Sequence, residues 1–189
     1  MKKLILASNS PRRRELLEQI GVEFEVIPSN AEEKVTKQEP SEVVEELSRQ
    51  KAEDVAAAVE DGIVLGADTV VCQDGQIMGK PKDEADAKQM LQKLQGEEHS
   101  VYTGVTNLVK ENGAVQHVQT FSQETKVYVY EMTDEEIDRY IATGEPMDKA
   151  GAYGIQGRFA AYVDGIEGDY NNVVGLPVSA VWQELKELL

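Results

Sequence analysis

The chain has 189 residues, enough for one well-buried domain or for one domain with two lobes around a cleft. Nineteen Lys and Arg stand against 35 Asp and Glu, a formal charge of −16, while 41 % of the residues are hydrophobic. That balance excludes wholesale disorder and argues against a nucleic-acid polymer or an anionic membrane as partner, so any phosphate site must be a local basic pocket.

From the N-terminus, Lys3–Ala7 reads as a buried strand and Ser8-Asn9-Ser10 as a turn. Pro11 then falls at a first helical position with Ser10 as N-cap. Leu16, Leu17 and Ile20 give that helix an apolar face, and Gly21 ends it. Phe24–Pro28 reads as a second strand, followed by a long helix from Pro40-Ser41 to about Glu60. On it Val43, Leu47, Val55 and Val59 share a row at four-residue spacing, with Lys51 in the middle.

Gly62–Cys72 is nearly continuous apolar sequence, as in a central strand covered on both faces. Asp74-Gly75 marks a hairpin turn. Asp83, Ala87, Met90, Leu91 and Leu94 outline a helix that Gly96 ends. Tyr102–Lys110 and Ala114–Glu131 read as antiparallel strands around Asn112-Gly113. Thr133–Glu136 is a capping box opening a helix with Ile137, Tyr140 and Ile141. A glycine-rich loop (Gly144–Gly157), a strand near Phe159–Ile166, a turn at Asn171-Asn172 and a helix from Pro177 to Leu189 complete the chain. The pattern predicts one α/β domain on a mixed sheet, with two lobes.

The single cysteine, Cys72, excludes an internal disulfide and reads as an inert core thiol. His99 and His117 are too far apart in sequence to suggest a zinc site. The apolar N-terminal stretch Leu4–Ala7 is too short for a signal peptide, and no segment approaches the ~20 apolar residues of a membrane span. The expectation is a cytoplasmic protein.

Three segments carry chemistry. In Ser8-Asn9-Ser10-Pro11-Arg12-Arg13-Arg14 hydroxyls gather in a turn and three guanidinium groups open a helix. Free N–H groups and arginine forks there suit phosphate, at a cost against the helix dipole that a bound anion would offset. The other reading is a solvated basic patch paired with Glu15 and Glu18. Asp68 lies within the apolar strand Leu65–Val71, where an ionised carboxylate needs a cation, a metal or hydrogen bonds. Glu32-Glu33 follows a strand and suits magnesium or manganese, or is simply acidic surface. Lys51 either snorkels to solvent or points into a polar pocket, and Lys80 and Lys149 are cations on loops that a cleft can recruit.

These features together resemble the Maf family of nucleoside triphosphate pyrophosphatases, related in fold to the inosine triphosphate pyrophosphatases. The resemblance rests on Leu6-Ala7-Ser8-Asn9-Ser10-Pro11-Arg12-Arg13, Glu32-Glu33, Leu65-Gly66-Ala67-Asp68-Thr69, Gly79-Lys80-Pro81, Asp148–Gly157 and Val173-Val174-Gly175-Leu176-Pro177. It implies an elongated mixed sheet flanked by helices, two lobes around a cleft, and a homodimer. It also implies hydrolysis between the α and β phosphates, giving a nucleoside monophosphate and pyrophosphate with magnesium or manganese. On these motifs Asp68 would be the general base and Glu33 and Asp68 the metal-site carboxylates. Ser8, Arg12, Arg13, Lys51 and Lys80 would hold the triphosphate, and Lys149 is a further candidate. Arg12, Thr69 and Gln156 are similar to the positions that select the base in the subgroup preferring dTTP and UTP. That subgroup often has Asp-Glu where this chain has Glu32-Glu33, a longer side chain of the same charge.

The chemistry is consistent without the family. Attack of water on an α-phosphorus needs charge neutralised on phosphate oxygens, a placed water and a stabilised leaving group. Gly151–Gly157 lacks the Lys-Ser/Thr ending of a P-loop, which argues against an ATPase of that kind. A phosphatase releasing orthophosphate, and a nucleotide-binding regulator of cell division or septum formation without turnover, are the alternative readings.

Overall fold

Leu4, Ile5 and Leu6 are at most 2 % exposed and form strand β1 (Leu4–Leu6), the short buried run that the apolar N-terminal stretch predicts. The computed structural model describes residues 2–189, in which β1 pairs in parallel with β2 (Phe24–Val26) on one side and β3 (Gly62–Gln73) on the other. The register sets Leu4 opposite both Phe24 and Ile63. With β4 (Gln76–Met78), β5 (Glu98–Glu111), β6 (Ala114–Val129) and β7 (Val163–Glu167), the strands form one seven-stranded mixed sheet. Its order is β2-β1-β3-β5-β6-β7, with β4 beside β3.

The chain divides into two compact units. The first holds the residues up to Asp68, Thr103–Gln123 and Gly175–Leu189, and the second holds Thr69–Tyr102 and Glu124–Val174. Strands β3, β5 and β6 therefore contribute residues to both.

In the first unit, α1 (Pro11–Gln19), α2 (Pro40–Ala56) and α6 (Val178–Leu185) accompany the strands. Ala52, Val55 and Ala56 of α2 pack with Ile5, Val64 and Leu108 of the strands and with Ala7 just after β1. The approach is backbone to backbone at Gly66, where a Cβ would overlap the carbonyl oxygen of Ser48. Ser48 Oγ shares a 2.9 Å hydrogen bond with Thr106 Oγ1, so the helix is also tied to β5 through a buried hydroxyl. Lys110 Nζ donates to Ala56 O at 2.8 Å and satisfies a carbonyl of the helix's last turn.

In the second unit β3 turns into β4 through Asp74-Gly75, both with positive φ, as the hairpin signal predicts. Asp83 caps α3 (Glu84–Leu94), its Oδ1 accepting the Asp86 N–H at 2.8 Å. Thr133 and Glu136 form the predicted capping box of α4 (Asp134–Ile141). The core combines Leu91 and Leu94, Ile137 and Tyr140, and Tyr153 and Phe159, all at most 5 % exposed.

Several local expectations are corrected. Ser10 stands at the N-cap of α1, but its side chain makes no cap bond; its own N–H donates to Ser8 Oγ at 3.2 Å. Ile20 is exposed, leaving Leu16 and Leu17 as the buried residues of α1. Helix α2 stops at Ala56 rather than near Glu60, and Val59 is only partly buried. Met90 of α3 is half-buried, and Cys72 is a half-buried thiol rather than a core one. Strand β5 begins at Glu98, four residues before the expected Tyr102. Arg158–Tyr162 is a 3-10 helix that precedes β7, and Asn171-Asn172 lies inside the short helix α5 (Tyr170–Val174).

Candidate active site

The residues singled out by sequence divide between the units. Ser8, Arg12, Arg13, Glu33, Lys51 and Asp68 belong to the first; Thr69, Lys80, Lys149 and Gln156 belong to the second.

In the first unit Lys51 does not snorkel. Its Nζ lies 2.5 Å from Asp68 Oδ1 and 3.1 Å from Glu33 Oε1, so one ammonium bridges both carboxylates. The geometry follows from α2 lying against β3 at Gly66, two residues before Asp68. Asp68 and Lys51 are largely buried, whereas Glu33 is half exposed. The loop carrying Glu33 is laced to the same helix: Lys34 and Gln50 exchange bonds of 3.0 and 2.7 Å, and Thr36 N–H donates to Glu46 Oε2 at 2.9 Å.

Ser8 and Arg13 form a second group. Arg13 donates through Nη1 to Ser8 Oγ at 3.1 Å and through Nε to the carbonyl of Gly175 at 2.8 Å. The latter bond explains the Val173–Pro177 segment, which brings a backbone acceptor to the arginine across 162 residues. Burial holds the Arg13 guanidinium below its usual value; the opposite charge of Asp68 counteracts this, and Arg12 adds to it. Arg14 turns to the carbonyl of Asn9 at 3.3 Å. The basic turn is thus organised around backbone and hydroxyl acceptors.

In the second unit Lys80 is exposed beside Gly79, whose carbonyl accepts the Gly151 N–H at 3.1 Å. Lys149, a further candidate for the phosphates, is held within its own loop. Its Nζ donates to Glu145 O at 2.7 Å and Asp148 Oδ1 at 2.8 Å, and its stem packs against Gly154. Two of its three N–H groups therefore brace its own loop. Gln156 is exposed and Thr69 half-buried.

Glu33 and Asp68 are the residues of the first unit that could hold a divalent cation. Both carboxylates already reach one positive atom, Lys51 Nζ. Magnesium and manganese commonly take one or two carboxylates and complete their shell with water and phosphate oxygens. Among the described residues, no cluster of three or more His, Cys, Asp and Glu side chains could enclose such an ion without those additional ligands.

The Maf-like protein family matches residues 3–188. The chain belongs to the Maf family. One Maf relative, a dTTP/UTP pyrophosphatase of Agathobacter rectalis, is 56 % identical over 201 residues, covering 100 % of this chain and 98 % of its own. Another, a dTTP/UTP pyrophosphatase of Bacillus cytotoxicus, is 54 % identical over 99 % of this chain and 96 % of its own. Among solved structures, a HAM1 protein from Coxiella burnetii matches 99 % of this chain and 100 % of its own at 14 % identity and a TM-score of 0.49. Among the described residues of this Maf protein, no helix is long and apolar enough to cross a membrane.

The residues that support the Maf glycine-rich loop carry no motif of their own in the sequence. His99, dismissed as a zinc ligand, is buried with Nε2 2.6 Å from Tyr153 Oη. Tyr153 stacks on Phe159 with ring centroids 4.5 Å apart, and Phe159 meets Tyr140 at 5.2 Å. Glu145 accepts the Arg158 N–H through both carboxylate oxygens. No local pattern announces these partners; the one available signal was the aromatic content of the stretch Tyr140–Tyr162.

Proposed function

We propose that this chain hydrolyses the α–β phosphoanhydride of dTTP and UTP, releasing the nucleoside monophosphate and pyrophosphate, with the help of magnesium or manganese. The observation that carries the reading is the bridge of Glu33, Lys51 and Asp68, two carboxylates and an ammonium brought together, with the half-buried Arg13 close enough to interact with Asp68. The Maf relatives named dTTP/UTP pyrophosphatase over their full length support the choice of substrate.

In this reading a water oxygen bonds to the α-phosphorus while the bond from that phosphorus to the bridging oxygen breaks, and pyrophosphate leaves. Asp68 orients the water and takes its proton. Lys51 holds Asp68 in position. Arg13, whose charge lies close enough to Asp68 to interact with it, and Arg12 are the guanidinium groups that bind phosphate oxygens in this reading, and Ser8 holds Arg13 through its hydroxyl. Lys80 supplies a further exposed cation for the leaving pyrophosphate. A divalent ion held by Glu33 and Asp68 would add charge neutralisation on the phosphates. Arg12, Thr69 and Gln156 are the candidates for selecting the base, and Gln156 presents an amide acceptor and donor that match the imide edge of thymine or uracil. Lys149 braces the loop. A cytoplasmic homodimer is part of the same proposal, and sedimentation of the purified chain would measure the assembly.

The test is a turnover panel of dTTP, UTP, CTP and GTP with the products identified. Pyrophosphate with nucleoside monophosphate, fastest from dTTP and UTP, is the expected result. Orthophosphate from the γ position, or a guanine preference, would overturn the proposal.

A further inference from the structure

Gln156 sits on a turn that is fastened at both ends. The Gly157 N–H donates to the Gly154 carbonyl at 3.2 Å, so Ile155 and Gln156 are the two central residues. Ile155 is buried and Gln156 exposed, which anchors one central side chain and presents the other. On the leading side the Gly154 N–H donates to Tyr140 Oη at 3.2 Å. On the trailing side the Arg158 N–H donates to Glu145 Oε1 and Oε2 at 3.1 and 3.3 Å. The same carboxylate fills the space that a Cβ on residue 157 would need, so glycine there lets Glu145 reach the turn.

Both fasteners are themselves held. The Glu145 N–H donates to Thr143 Oγ1 at 3.2 Å, and its carbonyl accepts Lys149 Nζ at 2.7 Å. Tyr140 is 3 % exposed, and its ring packs on Phe159. A side chain that reads a base by hydrogen bonds must be fixed to within a fraction of an ångström, and an exposed glutamine on a free turn would not be.

We propose that Glu145 and Tyr140 are positioning residues for Gln156, setting the base preference of the enzyme without touching the nucleotide. This rests on the reading of Gln156 as the group that recognises the base. Glu145 acts on the backbone after Gln156, and Tyr140 acts on the backbone before it. Neither is required for the attack on phosphorus, so their loss alters discrimination among bases more than turnover of the triphosphate.

The experiment measures kcat and KM for dTTP and dCTP with the full chain and with Glu145→Ala, Glu145→Gln, Gln156→Ala and the double variant. Glu145→Ala is expected to lose about tenfold of the dTTP preference in kcat/KM, chiefly through KM. Glu145→Gln, which keeps an acceptor oxygen, should retain most of the preference. In the Gln156→Ala background, Glu145→Ala should change the preference no further. Should Glu145→Ala fail to fold, Tyr140→Phe removes a single hydroxyl and gives the same readout. A preference that survives Glu145→Ala and Tyr140→Phe but not Gln156→Ala overturns the proposal, as does an equal loss of kcat on both nucleotides. A preference untouched by Gln156→Ala rejects the parent reading of that residue, a distinguishable outcome.

Discussion

Lys51 and Asp68 are joined at 2.5 Å across 17 residues of sequence, one on α2 and one on β3. With only 19 % and 14 % of their side chains exposed, each charge has the other as near compensation. In the proposed mechanism this carboxylate, held in place by the lysine, is the group that takes a proton from water. Asp68→Asn keeps the shape and an acceptor oxygen but removes the proposed base. Its turnover should fall by at least about 100-fold while nucleotide binding stays measurable by calorimetry. Equal rates in the two proteins would take Asp68 out of the chemistry.

Lys51→Met leaves Asp68 and Glu33 facing each other without their shared cation. The expected cost is about 2 kcal/mol in urea unfolding, below that of a fully buried pair because Glu33 is half exposed. Added magnesium should recover part of the loss, since a divalent ion replaces the missing charge between the carboxylates. A variant as stable as the parent, with no response to magnesium, would count against the shared site.

Glu33→Gln tests the metal from the other side. One carboxylate remains, so half-maximal activity should require about 10- to 100-fold more magnesium, while the rate at saturating metal changes less. Chelation with excess EDTA should stop turnover in both proteins. Activity that persists after chelation would remove the divalent ion from the proposal.

How much of this was legible beforehand depended on how local the physics is. The start of α1 at Pro11, the apolar row Val43, Leu47 and Val55 of α2 with Lys51 inside it, the Asp83 cap and the Thr133–Glu136 box are short-range patterns, and these are present, whereas the Ser10 cap bond and the extension of α2 to Val59 are not. Asp68 was conspicuous because a carboxylate in an apolar strand demands compensation. Phe159 misled for the opposite reason. Its aromatic neighbourhood reads as a strand, but packing on Tyr140 and Tyr153 draws Arg158–Tyr162 into a 3-10 helix. The bonds from Glu145 to Arg158, 13 residues away, and from His99 to Tyr153, 54 residues away, exist only after folding.

Gly66→Ala should be among the most damaging single-methyl additions in the first unit. The new Cβ would overlap Ser48 O and crowd Ala52, so α2 must move off β3. Overpacking of this kind costs about 1–3 kcal/mol. The same shift carries Lys51 away from Asp68, so kcat should fall along with the unfolding midpoint. Chemical denaturation and steady-state kinetics on one preparation would show both; loss of stability with full activity would mean that the Lys51–Asp68 distance is not critical.

His99 gives the second unit a pH dependence whose sign can be worked out. Burial pushes its pKa from 6.5 down to about 4, and its neighbour Tyr153 is pushed upward by burial, away from the acid range. Between those two His99 values the unfolded chain binds a proton that the folded chain refuses. Stability therefore falls on acidification from about pH 6.5 to about pH 4 and is flat with respect to this group on either side. The full loss is on the order of 3 kcal/mol. His99→Gln keeps a hydrogen-bonding group near Tyr153 Oη but has nothing to titrate, so its stability should decline less in acid. Urea unfolding of both proteins at neutral pH and at about pH 4.5 measures this, and the parent's advantage should shrink by about 2 kcal/mol at the lower value. Parallel pH curves would mean that His99 accepts its proton without leaving the core, and that the bond to Tyr153 does not depend on a neutral ring.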